Sequence, residues 1–345
     1  MAYTTIDNPE LYFQTKLYSG NNGTQSITLD GSENMRPDWV WIKPRNGSDG
    51  HVLTDSVRGA LKRLRTEGNN AEDTLSGSLS SFDSDGFTVG NAGEVNSSSY
   101  NFVSWNWLAG GSASSNSDGS ITSSVSANTT AGFSIVTVAD IGTTDFTFGH
   151  GLGVAPSWVL AKSRDGGKWN NYFKVLGANY TIQLDQTSAK ISNSTMWQNT
   201  HPTSSVVSAN GNQLDNNESY VFYCFAEKKG YSKFGSYTRN ANTDGPYIYT
   251  GFSPAWVMVK ATDATKSWYI WDNKRSTSGS NLVDDQLLAN TTDSEFDGSN
   301  IDMLSNGFKF RSSGSGEQGS GTNYIYMAFA ESPFVSSGGI PTTAR

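Results

Sequence analysis

One phrase occurs three times in this chain. It is Pro-x-Trp-Val-x-x-Lys: Pro37, Trp39, Val40 and Lys43; then Pro156, Trp158, Val159 and Lys162; then Pro254, Trp256, Val257 and Lys260. A chain that repeats itself builds copies of one unit, and its fold must accommodate those copies. Other features keep step. The runs YNFVSWNW, SYVFYCFA and NYIYMAFA close the copies, with Phe102, Tyr220 and Tyr324 lying 65, 64 and 70 residues after the prolines. Phe133 and Tyr231 each precede their proline by 23 residues, and Tyr12 and Phe13 stand in a similar place before Pro37. SDGFTVG at 84–90 matches SNGFKFR at 305–311. The copies cover about 12–109, 132–229 and 230–332, each the size of a β-sandwich.

The residues between these markers set the fold class. Gly is 36 of 345 residues, Asn and Ser are frequent, and strong helix formers are sparse. Short runs of Val, Ile, Tyr, Phe and Trp between turn residues read as strands. The expectation is an all-β protein of three tandem β-sandwich-like modules with little helix. Module 1 with its N-terminal segment takes 1–109, a Gly/Ser/Thr/Asn linker 110–131, module 2 132–229, module 3 230–332 and a tail 333–345. Only EKKG separates the second copy from the third, so those two are expected to stack closely.

In a strand, alternate residues face opposite sides. Trp39, Trp158 and Trp256 share one repeated position, and the next position on that face holds Trp41, Leu160 and Met258. A core face tolerates that exchange; a stacking platform for a ligand does not. Val40, Val159 and Val257 fill the other face, so the strand is expected to be dry on both sides. The closing lysine is expected to lay its stem on apolar surface and keep its head in water.

Charge excludes some partners. The net charge is −8 and the pI about 4.9, which argues against nucleic acid. The basic run TDSVRGALKRLRTEG at 54–68 is the one place where a helical turn is expected. Its Asp55 and Arg58 lie 16 and 19 residues after Trp39, and Asp272 and Arg275 lie 16 and 19 after Trp256. A recurrent Asp-x-x-Arg predicts an internal salt bridge or a turn brace. No stretch reaches the ~18 apolar residues of a membrane span. MAYTTIDNPELYFQ has neither the basic start nor the apolar core of a signal peptide, so synthesis in a host cytoplasm is expected.

No motif declares a reaction. His51, His150 and His201 fall at unrelated places and show no zinc spacing. Cys224 lies in an apolar strand and reads as a small buried hydrophobe. No Gly-x-Ser-x-Gly elbow is present. Glu94, Asp284, Asp285 and Glu295 read as solvated loop acids rather than a glycosidase pair. SFDSDG at 81–86 lacks the glutamate of an EF-hand. The expectation is no enzyme, no cofactor and no metal.

The phrases GFSIVTV, HGLGVAPSWVLAKSR, YVFYCFAEKKGYSKFGSYTRNANTDGPYIYTGFSPAWVMVK and LSNGFKF resemble the tandem β-modules of tailed-bacteriophage virion proteins. The opening MAYTTIDNPELYFQTKLYSGNNG, with PDWVWIK, DSVRGA and SDGFTVG, resembles such proteins from phages of marine bacteria. The likeness runs over nearly the whole chain. It implies a virion structural protein, foremost a tail fibre or spike component in host attachment. The alternatives are a capsid-surface decoration or capsid-anchored fibre and, behind that, a polysaccharide-degrading tail enzyme. Partners implied are other virion proteins, identical chains (a homo-oligomer, foremost a trimer) and a host-surface glycan. Aromatics that do not recur between copies are the candidates for a glycan contact. Trp169 and Trp268 fall 11 and 12 residues after their copy's Trp and read as equivalent core positions, which leaves Trp197 and Trp271 as candidates.

Overall fold

The computed structural model describes residues 3–215, 218–240, 242–276, 281–313 and 323–341. Strands dominate them. Among the described residues helix is limited to Gly93–Asn96 and three 3-10 turns, Pro9–Leu11, Lys174–Leu176 and Gly211–Gln213. The fold is all-β, as expected. The run 54–68 holds no helix: it carries Val52–Asp55 and Lys62–Arg63, because its Asp-x-x-Arg forms a turn instead.

Each copy builds the same four-stranded unit. An opening strand (Phe13–Ser19, Phe133–Val138 or Ser232–Thr238) pairs with a closing strand (Asn101–Trp107, Tyr220–Phe225 or Asn323–Pro333). The closing strand pairs with a tryptophan strand (Trp39–Pro44, Trp158–Ser163 or Phe252–Ala261). A return strand follows (Val52–Asp55, Trp169–Phe173 or Trp268–Asp272). The repeat sets the register: Trp39 faces Trp107, Trp158 faces Phe225 and Trp256 faces Phe329. A short antiparallel pair supplies a second layer in every copy: Gln25–Thr28 with Gly86–Val89, Asp145–Gly149 with Val206–Asn210, and Tyr247–Tyr249 with Gly307–Phe310. The SDGF and SNGF phrases sit here. A Cβ on Gly86 would meet the Ile27 carbonyl oxygen at 2.0 Å, and one on Gly307 would meet that of Ile248 at 2.1 Å, so only glycine allows these strands to approach.

The two faces of each sheet dry in different places. Val40, Ile42, Phe87 and Phe102 form a local core in copy 1. Val159, Ala161, Phe148 and Phe222 form one in copy 2. The tryptophan faces of all three copies meet one another in a single central core. The Trp39 ring lies 4.6 Å from that of Tyr223 in copy 2, Trp107 lies 5.8 Å from Trp256 in copy 3, and Phe225 lies 5.7 Å from Phe329. All ten tryptophans are buried to within 1%. Truncating one such side chain to alanine costs ~3–5 kcal/mol.

Two expectations change here. The segment 110–131 carries the strands Ser114–Asn116 and Ser123–Asn128, and the second of these pairs with the opening strand of copy 2. It behaves as an edge of that sheet, because its small residues fit an extended strand beside Phe133–Val138. The heads of the repeated lysines are not wet. Lys43, Lys162 and Lys260 are fully buried, and backbone carbonyls take their ammonium protons.

Candidate functional site

The charged groups that composition leaves scarce are gathered at the seams between copies. Each seam uses the same positions. At the first position the return strand places a ring N–H against a carbonyl of the preceding copy. Trp169 Nε1 donates to Arg65 O at 2.7 Å and Trp268 Nε1 donates to Gln183 O at 2.9 Å. His51 Nε2 stands 3.0 Å from Leu288 O. Copy 2 therefore reaches copy 1, copy 3 reaches copy 2, and copy 1 reaches copy 3, which closes the ring. The tautomer of His51 follows from chemistry. Its Nδ1 lies 2.8 Å from Trp41 Nε1, which can only donate, so the imidazole proton sits on Nε2. Burial, then the Lys43 ammonium, pushes His51 down to about 3, so it stays neutral in its seam.

His51 corrects the sequence reading. It does not fall at an unrelated place: it is 12 residues after Trp39, where Trp268 is 12 after Trp256. Counting that spacing would have found it.

At the second position the Asp-x-x-Arg turns face the neighbour. Asp55 Oδ1 accepts from the backbone N–H of Arg58, and Oδ2 accepts from Arg58 Nε and from Tyr223 Oη of copy 2. Asp272 repeats this with Arg275, and its outside donor is Trp105 Nε1 of copy 1 at 2.9 Å. Both aspartates and both arginines are buried. The turn brace expected from the spacing is present; its role in joining copies was not legible.

A glutamate completes each cluster. Glu72 takes Arg58 Nη1 at 3.0 Å and Arg164 of copy 2 at 2.9 Å, and its backbone N–H donates to Arg164 O at 2.7 Å. Glu295 takes Arg275 Nη1 at 2.9 Å and Arg45 of copy 1 at 2.6 Å, with its N–H on Arg45 O at 2.6 Å. Burial opposes ionisation of Glu72, but the Arg164 and Arg58 guanidiniums hold its carboxyl below the usual range.

The acids singled out in sequence are distributed as follows. Glu94 pairs with Arg63 at 2.6 Å. Asp284 accepts from Ser276 Oγ at 3.2 Å. Asp285 and Glu295 do come together, on Arg45, at 3.9 and 2.6 Å. Burial, then the Glu295 charge, pushes Asp285 up to about 6 against the pull of Arg275 and Arg45. Glu295 is locked by two arginines, which suits a joint better than proton transfer.

The candidate glycan contacts are buried. Trp197 is 1% exposed in the local core of copy 2, edge-on to Tyr172 at 6.0 Å, and Trp271 is 0% exposed beside Phe310. Neither offers a ring face to solvent. The polar setting of Trp197 misled because local composition does not report what a loop folds onto. Among the described residues the exposed aromatics are Tyr247, Tyr249 and Phe296, at 44%, 50% and 38%, and the first two lie side by side on one strand. His150 bonds backbone groups of its own copy, His201 meets Tyr172 Oη, and Cys224 is buried. Among the described residues no group of three His, Cys, Asp or Glu side chains could hold a metal ion, and no helix is long and apolar enough to cross a membrane.

Fold and seams together define the class: one chain whose three β-modules close on a common tryptophan core. The chain belongs to the family described as a domain of unknown function, DUF7483, whose model matches residues 8–333 and so takes in all three copies. No curated protein and no solved structure matches it.

Proposed function

We propose that this chain is a structural protein of a tailed-bacteriophage particle, a tail fibre or spike component that takes part in host attachment. The observation that carries the reading is where the charge goes. Asp55, Arg58, Glu72 and Arg164, and again Asp272, Arg275, Glu295 and Arg45, hold one copy to the next. Chemistry of this kind serves a rigid body rather than a turnover. The likeness of the long phrases to virion β-modules supports the same reading, and so does an acidic surface in a crowded assembly.

Mass spectrometry of purified particles tests it. The chain is expected among the structural proteins, and its absence from intact particles overturns the proposal. Antibody labelling then separates tail from capsid: signal on the head replaces the fibre reading with a decoration protein. A contact to host glycan rests on Tyr247 and Tyr249 in this reading. Particles carrying Tyr249→Ala with normal assembly and normal adsorption would remove that part.

A further inference from the structure

The opening strand lies at the edge of its four-stranded unit in every copy, and an open edge is a template for another chain. One of the three edges is covered by a strand, and a second is met only through its side chains. In copy 2, Ser123–Asn128 pairs antiparallel with Phe133–Val138, placing Ser124 opposite Thr137 and Ser126 opposite Ile135. In copy 1, the segment 30–33 holds side chains of the strand and none of its backbone groups: Gly31 N donates to Gln14 Oε1 at 2.9 Å, Gln14 Nε2 donates to Glu33 O at 3.2 Å, and Lys16 pairs with Asp30 at 3.2 Å.

The third edge is open. Ser232–Thr238 ends its sheet, with the closing strand on its inner side and, on its outer side, a bridge to Lys228 at Ser232 alone. Ala330 N donates to Tyr231 O, so Lys233, Gly235 and Tyr237 bond inward and Phe234, Ser236 and Thr238 present their backbone groups outward. Among the described residues nothing pairs with those outward groups, and Ser236 and Thr238 are exposed.

A groove runs beside this edge along the seam of copies 2 and 3. One cleft of about 380 Å³ is lined by Ser236, Thr238, Lys190 and Val175. Through Val175 it meets a second of about 540 Å³, lined by Val154, Lys174, Lys228 and Phe234. Val154 and Val175 are 43% and 46% exposed. Glu227 is neutralised by Lys233 at 2.9 Å, and Asp263, which accepts only from the uncharged Asn323 amides, remains as a single negative charge against three lysines. Lys174, Lys190 and Lys228 therefore make this groove basic on a chain of net charge −8.

We propose that the outer edge of Ser232–Thr238 is a strand-addition site for an extended, acidic segment of another polypeptide, which pairs there as Ser123–Asn128 pairs in copy 2. Backbone bonds come from residues 234, 236 and 238, apolar contact from Val154 and Val175, and charge selection from the three lysines. This rests on the edge geometry and does not require the proposed virion role.

The probe is a synthetic peptide with the sequence of residues 121–130 bearing Thr122→Glu and Thr129→Glu, which places a carboxylate near each end of the groove. Hydrogen exchange of the full chain with this peptide is expected to show new protection confined to residues 234–238. The unsubstituted peptide should bind at least threefold more weakly. Ser236→Pro removes an outward N–H that no sheet bond uses, so it should keep the melting temperature and weaken the peptide at least tenfold. Unchanged binding by that variant overturns the proposal. If Ser236→Pro lowers the melting temperature, Lys174→Glu with Lys190→Glu replaces it, and an undiminished preference for the acidic peptide is then the overturning result. Peptide-free sedimentation should show no dimer that Ser236→Pro dissolves; such a dimer would make the occupant a second copy and overturn the assignment.

Discussion

The seam between copies 1 and 2 and the seam between copies 2 and 3 use the same positions and different chemistry. Where the first places Asp55 against Tyr223, the second places Phe173, whose ring packs on Phe234 at 6.4 Å. Where Glu72 bridges two arginines, Lys190 stands over the Tyr180 ring at 4.3 Å and its N–H donates to Thr262 O at 3.0 Å. The backbone bond and the ring N–H survive in both; the ion pairs do not. The shared backbone geometry thus positions the copies, and the Asp-Arg-Glu ion pairs are an addition made at two seams of three. A buried ion pair adds little over a well-packed apolar contact, yet losing half of it is costly.

The comparison breaks most readily at the buried acids. Asp272→Ala leaves Arg275 Nε and the Trp105 N–H without their buried acceptor and should cost ~3–5 kcal/mol in a urea titration. A loss under about 1 kcal/mol would mean that charge is dispensable at these seams as well. Next come the ring donors common to all three. His51→Phe and Trp268→Phe each leave a neighbouring carbonyl unpaired and should cost ~1–3 kcal/mol. If only one of the two does so, the ring positions are not equivalent.

The buried lysines give a pH signature that does not distinguish the seams. Burial lowers Lys260 to about 7, and lowers Lys43 and Lys162 to about 8 against the pull of nearby carboxylates. An unfolded lysine keeps its proton to about pH 10.4. Between these values the unfolded chain binds more protons, so stability rises with pH, by at most about 1.4 kcal/mol per lysine per pH unit. Melting temperature should climb from about pH 7 to 9, and Lys260→Met should flatten part of the climb. A parent profile without slope would show that the carbonyls keep these ammonium groups charged.

The smallest effect sharpens the contrast between the two charged seams. Lys62 lies 4.0 Å from Glu72, while the matching position by Glu295 holds Asp285. The folded value of Asp285, about 6, is above its unfolded one, so its favourable contribution is complete below about pH 4 and is lost as pH rises through about 6. Asp285→Lys should therefore stabilise the chain by about 0.5–1 kcal/mol at pH 8, a value reduced by solvent screening, and by less at pH 5. No gain at pH 8 would sever the correspondence with Lys62.

Much of this was legible from spacing. The three copies, their strands and the burial of Trp39, Trp158 and Trp256 follow from apolar periodicity, because alternation reports which side chains avoid water. The Asp-x-x-Arg braces follow too, since both partners lie within one turn. Residues that act across a seam were harder. Tyr223 lies 168 positions from Asp55 and Glu295 lies 250 from Arg45, and no local pattern carries such distances.

By itself, then, the sequence determined that the units are β, that there are three, and that both faces of the tryptophan strand are dry. Only the tertiary structure decided whose surface dries them. A dry face is satisfied by any apolar partner, and the copies chose one another. That choice buried the repeated lysine heads against backbone carbonyls. It also enclosed Trp271 and turned His51 into the counterpart of two tryptophans. Periodicity measures the need for burial, whereas hydrogen-bond direction and charge placement depend on groups brought close by the fold.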